Sequence, residues 1–228
     1  MGYKTMQKHE TVWPVWFLLG AFFLLLAAAL AAWLTEMSTL PANVGRELTA
    51  EEQQAIIADN SPLTQYVRLS PNATFPREGK IKKITIHHMA GNLSLERLGE
   101  VFANPGRRAS SNYAIDIDGN VALYVEECNR AWTSSSPEND HAAVTIEVAN
   151  DEIGGNWHVS DESYWALIDL CVDICRRNGI KELTWTEDET GTLTIHKFFN
   201  EDTECPGPYL EGVMPYIAEE VNRRLNGQ

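Results

Sequence analysis

Apolar and polar positions along this chain follow three different patterns, and each predicts a different element. From Val12 to Leu34 there is no charged residue, and Phe17-Leu18-Leu19 and Phe22-Phe23-Leu24-Leu25-Leu26 would be apolar on every side of a helix. Such a run exceeds the roughly 20 residues that cross a bilayer. It predicts a transmembrane helix over 12–34, with Trp13, Trp16 and Trp33 as interfacial residues near its ends. Period-two alternation predicts strands at Ile81–His87, Asn112–Ile117, Val121–Val125 and Ala143–Val148, and near Leu183–Trp185.

Helical spacing appears elsewhere. Tyr164, Leu167, Ile168, Cys171 and Cys175 form one stripe between Ser160 and Asn178-Gly179, which predicts a helix over Asp161–Asn178. Ser94 opens another to Ala103. Thr49 with Glu52 three residues on reads as a capping box. A closing helix from Tyr209 to Leu225 contains Pro215, which is expected to kink or restart it. Asp118-Gly119-Asn120 predicts a hairpin turn. Asp116 to Asn120 superficially resembles the start of a calcium loop, but the later glutamate is absent. Strands interleaved with helices imply an α/β fold, a single mixed β-sheet flanked by helices, preceded by the one N-terminal transmembrane helix.

The 228 residues therefore divide into a short N-terminus (1–11), the apolar helix (12–34), a tether and lead-in segment (35–79) and one compact domain (80–228). Lys4 and Lys8 precede the helix and Glu36 follows it, which puts the N-terminus in the cytoplasm and the domain on the outer side. A second reading is a cleaved signal peptide and a secreted body, since Ala29-Leu30-Ala31 is a small-residue cleavage pattern. The formal charge of −14 lies in the body and argues against a nucleic-acid partner. Cys171 and Cys175, four apart on a helix, do not meet in disulfide geometry and read as buried thiols, so the four cysteines give no disulfide framework.

Candidate chemistry gathers where strands end. His87 closes an alternating run at Ile84-Thr85-Ile86, His196 follows Thr194-Ile195, and Cys205 stands before Pro206-Gly207. Two imidazoles and a thiolate suit tetrahedral Zn²⁺ with its fourth position open to water. Each also has an ordinary reading, as a surface histidine or a turn cysteine. Glu147 interrupts the otherwise apolar Val144–Val148, so it faces either a polar cavity or solvent at a sheet edge.

Ile84–Gly91 (ITIHHMAG), Ser110–Gly119 (SSNYAIDIDG), Arg130–Ser135 (RAWTSS), Ala143–Asn150 (AVTIEVAN), Thr194–His196 (TIH) and Thr203–Pro208 (TECPGP) occur in an order and spacing that resemble the zinc N-acetylmuramoyl-L-alanine amidases. That superfamily includes phage endolysins and the peptidoglycan-recognition proteins. The resemblance runs from about Ser70 to Leu225. It implies that His87, His196 and Cys205 hold Zn²⁺, that Glu147 handles protons, and that Tyr113 lies beside the scissile carbonyl. Many phage members carry a lysine two residues before the zinc cysteine, where this chain has Thr203, which is left as a hydrogen-bonding group. His88, Asn112, Trp132 and His141 are candidates for the substrate groove. The resemblance thus implies an enzyme that hydrolyses the bond between N-acetylmuramic acid and L-alanine in peptidoglycan, and the apolar run 12–34 makes it a membrane-tethered one. Alternatives are a non-catalytic peptidoglycan-binding module of the same fold, and a cysteine hydrolase using Cys205 with His196 as base.

Overall fold

Six strands form the central sheet of the computed structural model, which describes residues 15–38 and 40–227, with side chains from 18–30 and 40–227. In chain order the strands are β1 (Thr64–Val67), β2 (Ala73–Thr74), β3 (Lys83–His88), β4 (Tyr113–Ile115), β5 (Val121–Leu123), β6 (Arg130–Ala131), β7 (Ala143–Val148) and β8 (Leu193–Ile195). The helices are α1 (Val15–Ser38), α2 (Ala50–Ala58), α3 (Leu95–Ala103), α4 (Pro137–Ala142), α5 (Asp161–Asn178) and α6 (Pro208–Leu225). Sheet order is β1-β5-β4-β7-β3-β8, with β2 and β6 forming a separate antiparallel pair. β4 and β5 are the expected antiparallel hairpin, and β4, β7, β3 and β8 run parallel. The mixed sheet with flanking helices agrees with the fold class read from the sequence.

The register gives the two sheet faces different characters. Ile84 and Ile86 of β3, Val144, Ile146 and Val148 of β7, and Leu193 and Ile195 of β8 point to one face, where Leu167, Ile168, Cys171, Leu210, Met214 and Ile217 of α5 and α6 cover them. The opposite face differs along its width. On β4 and β5 it is Ala114 and Ala122, small residues that admit Leu95, Leu98 and Phe102 of α3. On β7, β3 and β8 it is Thr145, Thr85, Thr194, His87 and Glu147. Buried apolar area stabilises at about 25 cal/mol per Å², so the apolar face holds the fold together. The polar part of the second face has another use.

Local chemistry explains the element ends. Thr49 and Glu52 make the reciprocal capping box that starts α2. Ser160 caps α5, and Gly179 ends it in the left-handed region. Asp116 Oδ1 accepts the N–H groups of Asp118 and Asn120 inside the hairpin turn, so its carboxylate is occupied as a turn former. Gly119 is required there: φ is +79, and a Cβ would lie 2.9 Å from the Glu162 carbonyl oxygen. Cys171 and Cys175 are free and buried, as expected.

Two expectations are corrected, and of the two offered for Pro215 the restart is ruled out. Leu183–Trp185 is not a strand. Leu183 N–H donates to the Asn222 side chain and Thr184 bonds Thr192, while Leu193–Ile195 takes the sheet edge. α6 runs through Pro215 as one helix rather than restarting. The segment 35–79, read as tether and lead-in, carries α2 and the edge strand β1, and the residues from Pro41 onward form one compact unit.

α1 belongs to a separate unit. Its described side chains, Leu18 to Leu30, correspond to about 20 Å of helix. Among the described residues no helix is long and apolar enough to cross a membrane. Lys4, Lys8, Val12 and Trp13, on which the anchor reading and its orientation partly rest, lie outside the described residues, as do the side chains of Trp16 and Trp33.

Candidate metal centre

The carboxyl ends of two neighbouring parallel strands, β3 and β8, and the loop after β8 bring the candidate ligands together. His87 is the fifth residue of β3 and is 1% exposed. His196 follows β8 directly in a short 3₁₀ turn, and its ring centroid lies 4.6 Å from that of His87. Cys205 returns over the end of β3 and is fixed from three sides. Lys197 N–H donates to its carbonyl at 3.0 Å, its own N–H donates to Thr203 Oγ1 at 3.1 Å, and His88 N–H donates to its Sγ at 3.4 Å.

One donor atom from each of His87, His196 and Cys205 lies within 4.8 Å of the others, and Sγ is 3.7 Å from His87 Nδ1. Ligand atoms around a tetrahedral zinc stand about 3.5 Å apart, given bond lengths near 2.0–2.3 Å. His87 Nε2 and His196 Nε2 are buried without a hydrogen-bond partner, which ordinary imidazoles avoid. The residues present therefore fit Zn²⁺. Burial lowers the pKa of both histidines, for His87 well below the usual imidazole value, with its neighbours His196 and His88 adding to the effect. Neutral imidazole is the ligating form. Burial, and then the charge of Glu147, raise the Cys205 thiol well above its ordinary value.

Glu147 pairs with His87 across β3 and β7. Matched residues of adjacent strands share a face, so the carboxyl stands beside the ligand cluster. Its Oε2 is buried and unpartnered, and burial pushes its pKa up to about 8, opposed by the nearby Arg107. A carboxyl held near neutrality can accept and return a proton.

Trp132 lines a neighbouring groove of about 460 Å³ with Arg108, Arg130, Thr133 and Ser135. Thr133 bonds Thr145, two residues before Glu147 on the same face, and Asn200 of the His196–Cys205 loop reaches Ser135. Trp132 thus stands in a groove whose neighbours Thr133 and Ser135 bond Thr145 and the His196–Cys205 loop. The sequence reading did not single out Arg107 or Arg108, which follow a Pro-Gly turn as a pair in an otherwise acidic chain, and it named Arg130 only as the start of a motif.

Four candidates fall elsewhere. Tyr113 is paired with Ile146, not Glu147, so it points to the apolar face. There its hydroxyl accepts Ser61 N–H at 3.0 Å and donates to Glu127 at 2.7 Å, with Glu127 held by Arg177. Asn112 is wholly buried, accepting Thr145 N–H and donating to the Val125 carbonyl, so it ties β4 to β7. His141 precedes β7, at the opposite end of the strand from Glu147, where its Nδ1 accepts Glu78 N–H and its carbonyl receives Arg77. His88 faces away from His87, its ring edge-on to Trp157 at 5.1 Å, and only its backbone reaches Cys205. Thr203 stays at the centre, but its hydroxyl shapes the Cys205 turn.

A match to the family described as N-acetylmuramoyl-L-alanine amidase spans residues 77–208, more than half of the chain and all of the ligand cluster. The chain belongs to the N-acetylmuramoyl-L-alanine amidase family. It is an enzyme of that class. Solved structures share the amidase fold at low identity. A PlyL mutant with alanine in place of a glutamate is 15% identical, with 68% of this chain and 96% of that one covered and a TM-score of 0.54. The Staphylococcus aureus hydrolase AmiA, solved with its ligand, is 14% identical, with 78% and 92% covered and a TM-score of 0.55. The PlyG catalytic domain, solved in solution, is 16% identical, with 69% and 93% covered and a TM-score of 0.51. A search of curated protein sequences returns no match. Within this amidase the family match begins at Arg77, whereas the compact unit begins at Pro41 and includes α2 and β1.

Proposed function

We propose that this amidase is zinc-dependent, cleaves the bond between N-acetylmuramic acid and L-alanine in peptidoglycan, and works tethered to a membrane by residues 12–34. The observation that carries the reading is the convergence of His87, His196 and Cys205 with Glu147 on the polar part of one sheet face. Held by those three residues, zinc would polarise the scissile carbonyl and acidify a water. Glu147 takes the proton from the attacking water and delivers it to the leaving amine of L-alanine. His87 and Cys205, both buried, keep bulk water away from that transfer. Trp132 offers an aromatic face to a sugar or peptide, and Arg108 and Arg130 offer positive charge to a stem-peptide carboxylate. A non-catalytic binding module would need neither the intact ligand set nor an acid among apolar strand residues.

The tether rests on the uncharged run itself. Leu18, Phe22, Phe23, Leu24, Leu25 and Leu30 are all more than half exposed in the structure, an apolar surface that a bilayer would cover. The test uses the full chain in isolated membranes. Chelation abolishes wall hydrolysis and zinc restores it, the protein stays in the membrane fraction at full mass, and it remains there when the membrane potential is collapsed. Activity that survives chelation and fails with a thiol alkylator would instead identify a cysteine hydrolase. A soluble body starting near Ala32 would remove the tether.

A further inference from the structure

After Glu147 the chain leaves β7 and makes a turn, Asp151 to His158, that packs against Gly207, two residues after Cys205. Trp157 within it has φ +54, a left-handed backbone unfavourable to any residue but glycine. Such a conformation persists when surrounding contacts over-determine it, and those contacts are specific. Asn150, wholly buried, donates from Nδ2 to the Trp157 carbonyl at 2.8 Å, and Trp157 N–H donates to Gly154 at 2.9 Å. Tyr209 N–H reaches back from α6 to the Asn156 carbonyl at 3.0 Å.

The indole side meets two groups that border Cys205. The His88 ring stands edge-on to it at an interplanar angle of 84°. Gly207 lies so close that a Cβ there would be 2.9 Å from Trp157 Cβ and 3.3 Å from His88 Cε1. Gly207 closes the Cys205-Pro206-Gly207 turn, with its N–H donating to the Glu204 carbonyl at 2.7 Å. Trp157 therefore braces the turn that presents Cys205 and the residue whose N–H donates to its sulfur.

We propose that Trp157 is a positioning residue for the metal centre: wedged between His88 and Gly207, it sets where the Cys205 sulfur stands and thereby how tightly the site holds zinc. The inference rests on the zinc reading above. Groups that orient a ligand from outside the coordination shell change metal affinity by about 10–100-fold when removed.

The test is zinc affinity of the full chain by competition with a chromogenic chelator, together with the thiolate charge-transfer band of the cobalt(II)-substituted protein. Trp157→Gly suits the left-handed backbone, so it removes the indole while sparing the fold, which thermal melting verifies. It should weaken zinc binding by about 10–100-fold and shift the cobalt band, while Trp157→Phe, which keeps a ring against His88, retains most of both. If the glycine variant does not fold, Asn150→Ala frees the Trp157 carbonyl and carries the same expectation. Parental zinc affinity with an unshifted band in the folded variant overturns the inference and leaves the zinc reading standing. A parent chain that takes up no stoichiometric zinc overturns that reading, and the inference with it.

Discussion

Glu147→Gln keeps its zinc and loses on the order of 10²–10⁴ in the rate of wall hydrolysis, the range for removal of an acid–base group. The substitution preserves shape at the end of β7 and leaves all three candidate ligands in place. What it removes is a carboxyl that shares a face with His87 and whose Oε2 meets no protein partner. The amide can neither accept the proton of the attacking water nor return it to the leaving amine. Parental turnover in a zinc-loaded Glu147→Gln chain would reduce the residue to a structural role.

The ligand variants His87→Ala, His196→Ala and Cys205→Ala are expected to lose both zinc and activity, with hydrolysis below detection. Two of the three residues are buried beside unpartnered nitrogen atoms, so solvent has little room to replace the missing ligand. Metal binding to the native state alone stabilises a fold by mass action. These variants should therefore also lose the rise in melting temperature that zinc gives the parent. Stoichiometric zinc in all three would dismiss the assignment. The two experiments separate roles, since the Glu147 variant fails with its metal present and the ligand variants fail without it.

The polar–apolar alternation of β3 and β7 made much of this site legible. Thr85, His87, Thr145 and Glu147 fall on one parity, Ile84, Ile86, Val144 and Ile146 on the other, and the register confirms that those parities are the two faces. Tyr113 obeys the same rule. It shares its period with Ile115 and pairs with Ile146, so alternation assigned it to the core, and family resemblance drew it wrongly toward the metal. His141 and Glu147 are six residues apart in sequence, but the strand between them runs straight and puts them at opposite ends. The short edge strands β1 and β8 carry only four and three residues, too few for periodicity to identify them alone. Trp157 gave no local signal, because its role depends on a turn of the chain fifty residues later. Arg107 and Arg108 carry no motif of their own, and only the fold sets Arg107 near Glu147 and Arg108 in the Trp132 groove.

The most direct measurement of the central claim is product analysis of purified cell wall digested by the full chain, with and without zinc. The account predicts that new amino groups appear on L-alanine alone, that the released glycan strands keep intact N-acetylmuramic acid without peptide, and that both products vanish on chelation and return with zinc. New amino termini on any other residue, new reducing sugar ends, or unchanged release in the presence of chelator would contradict it.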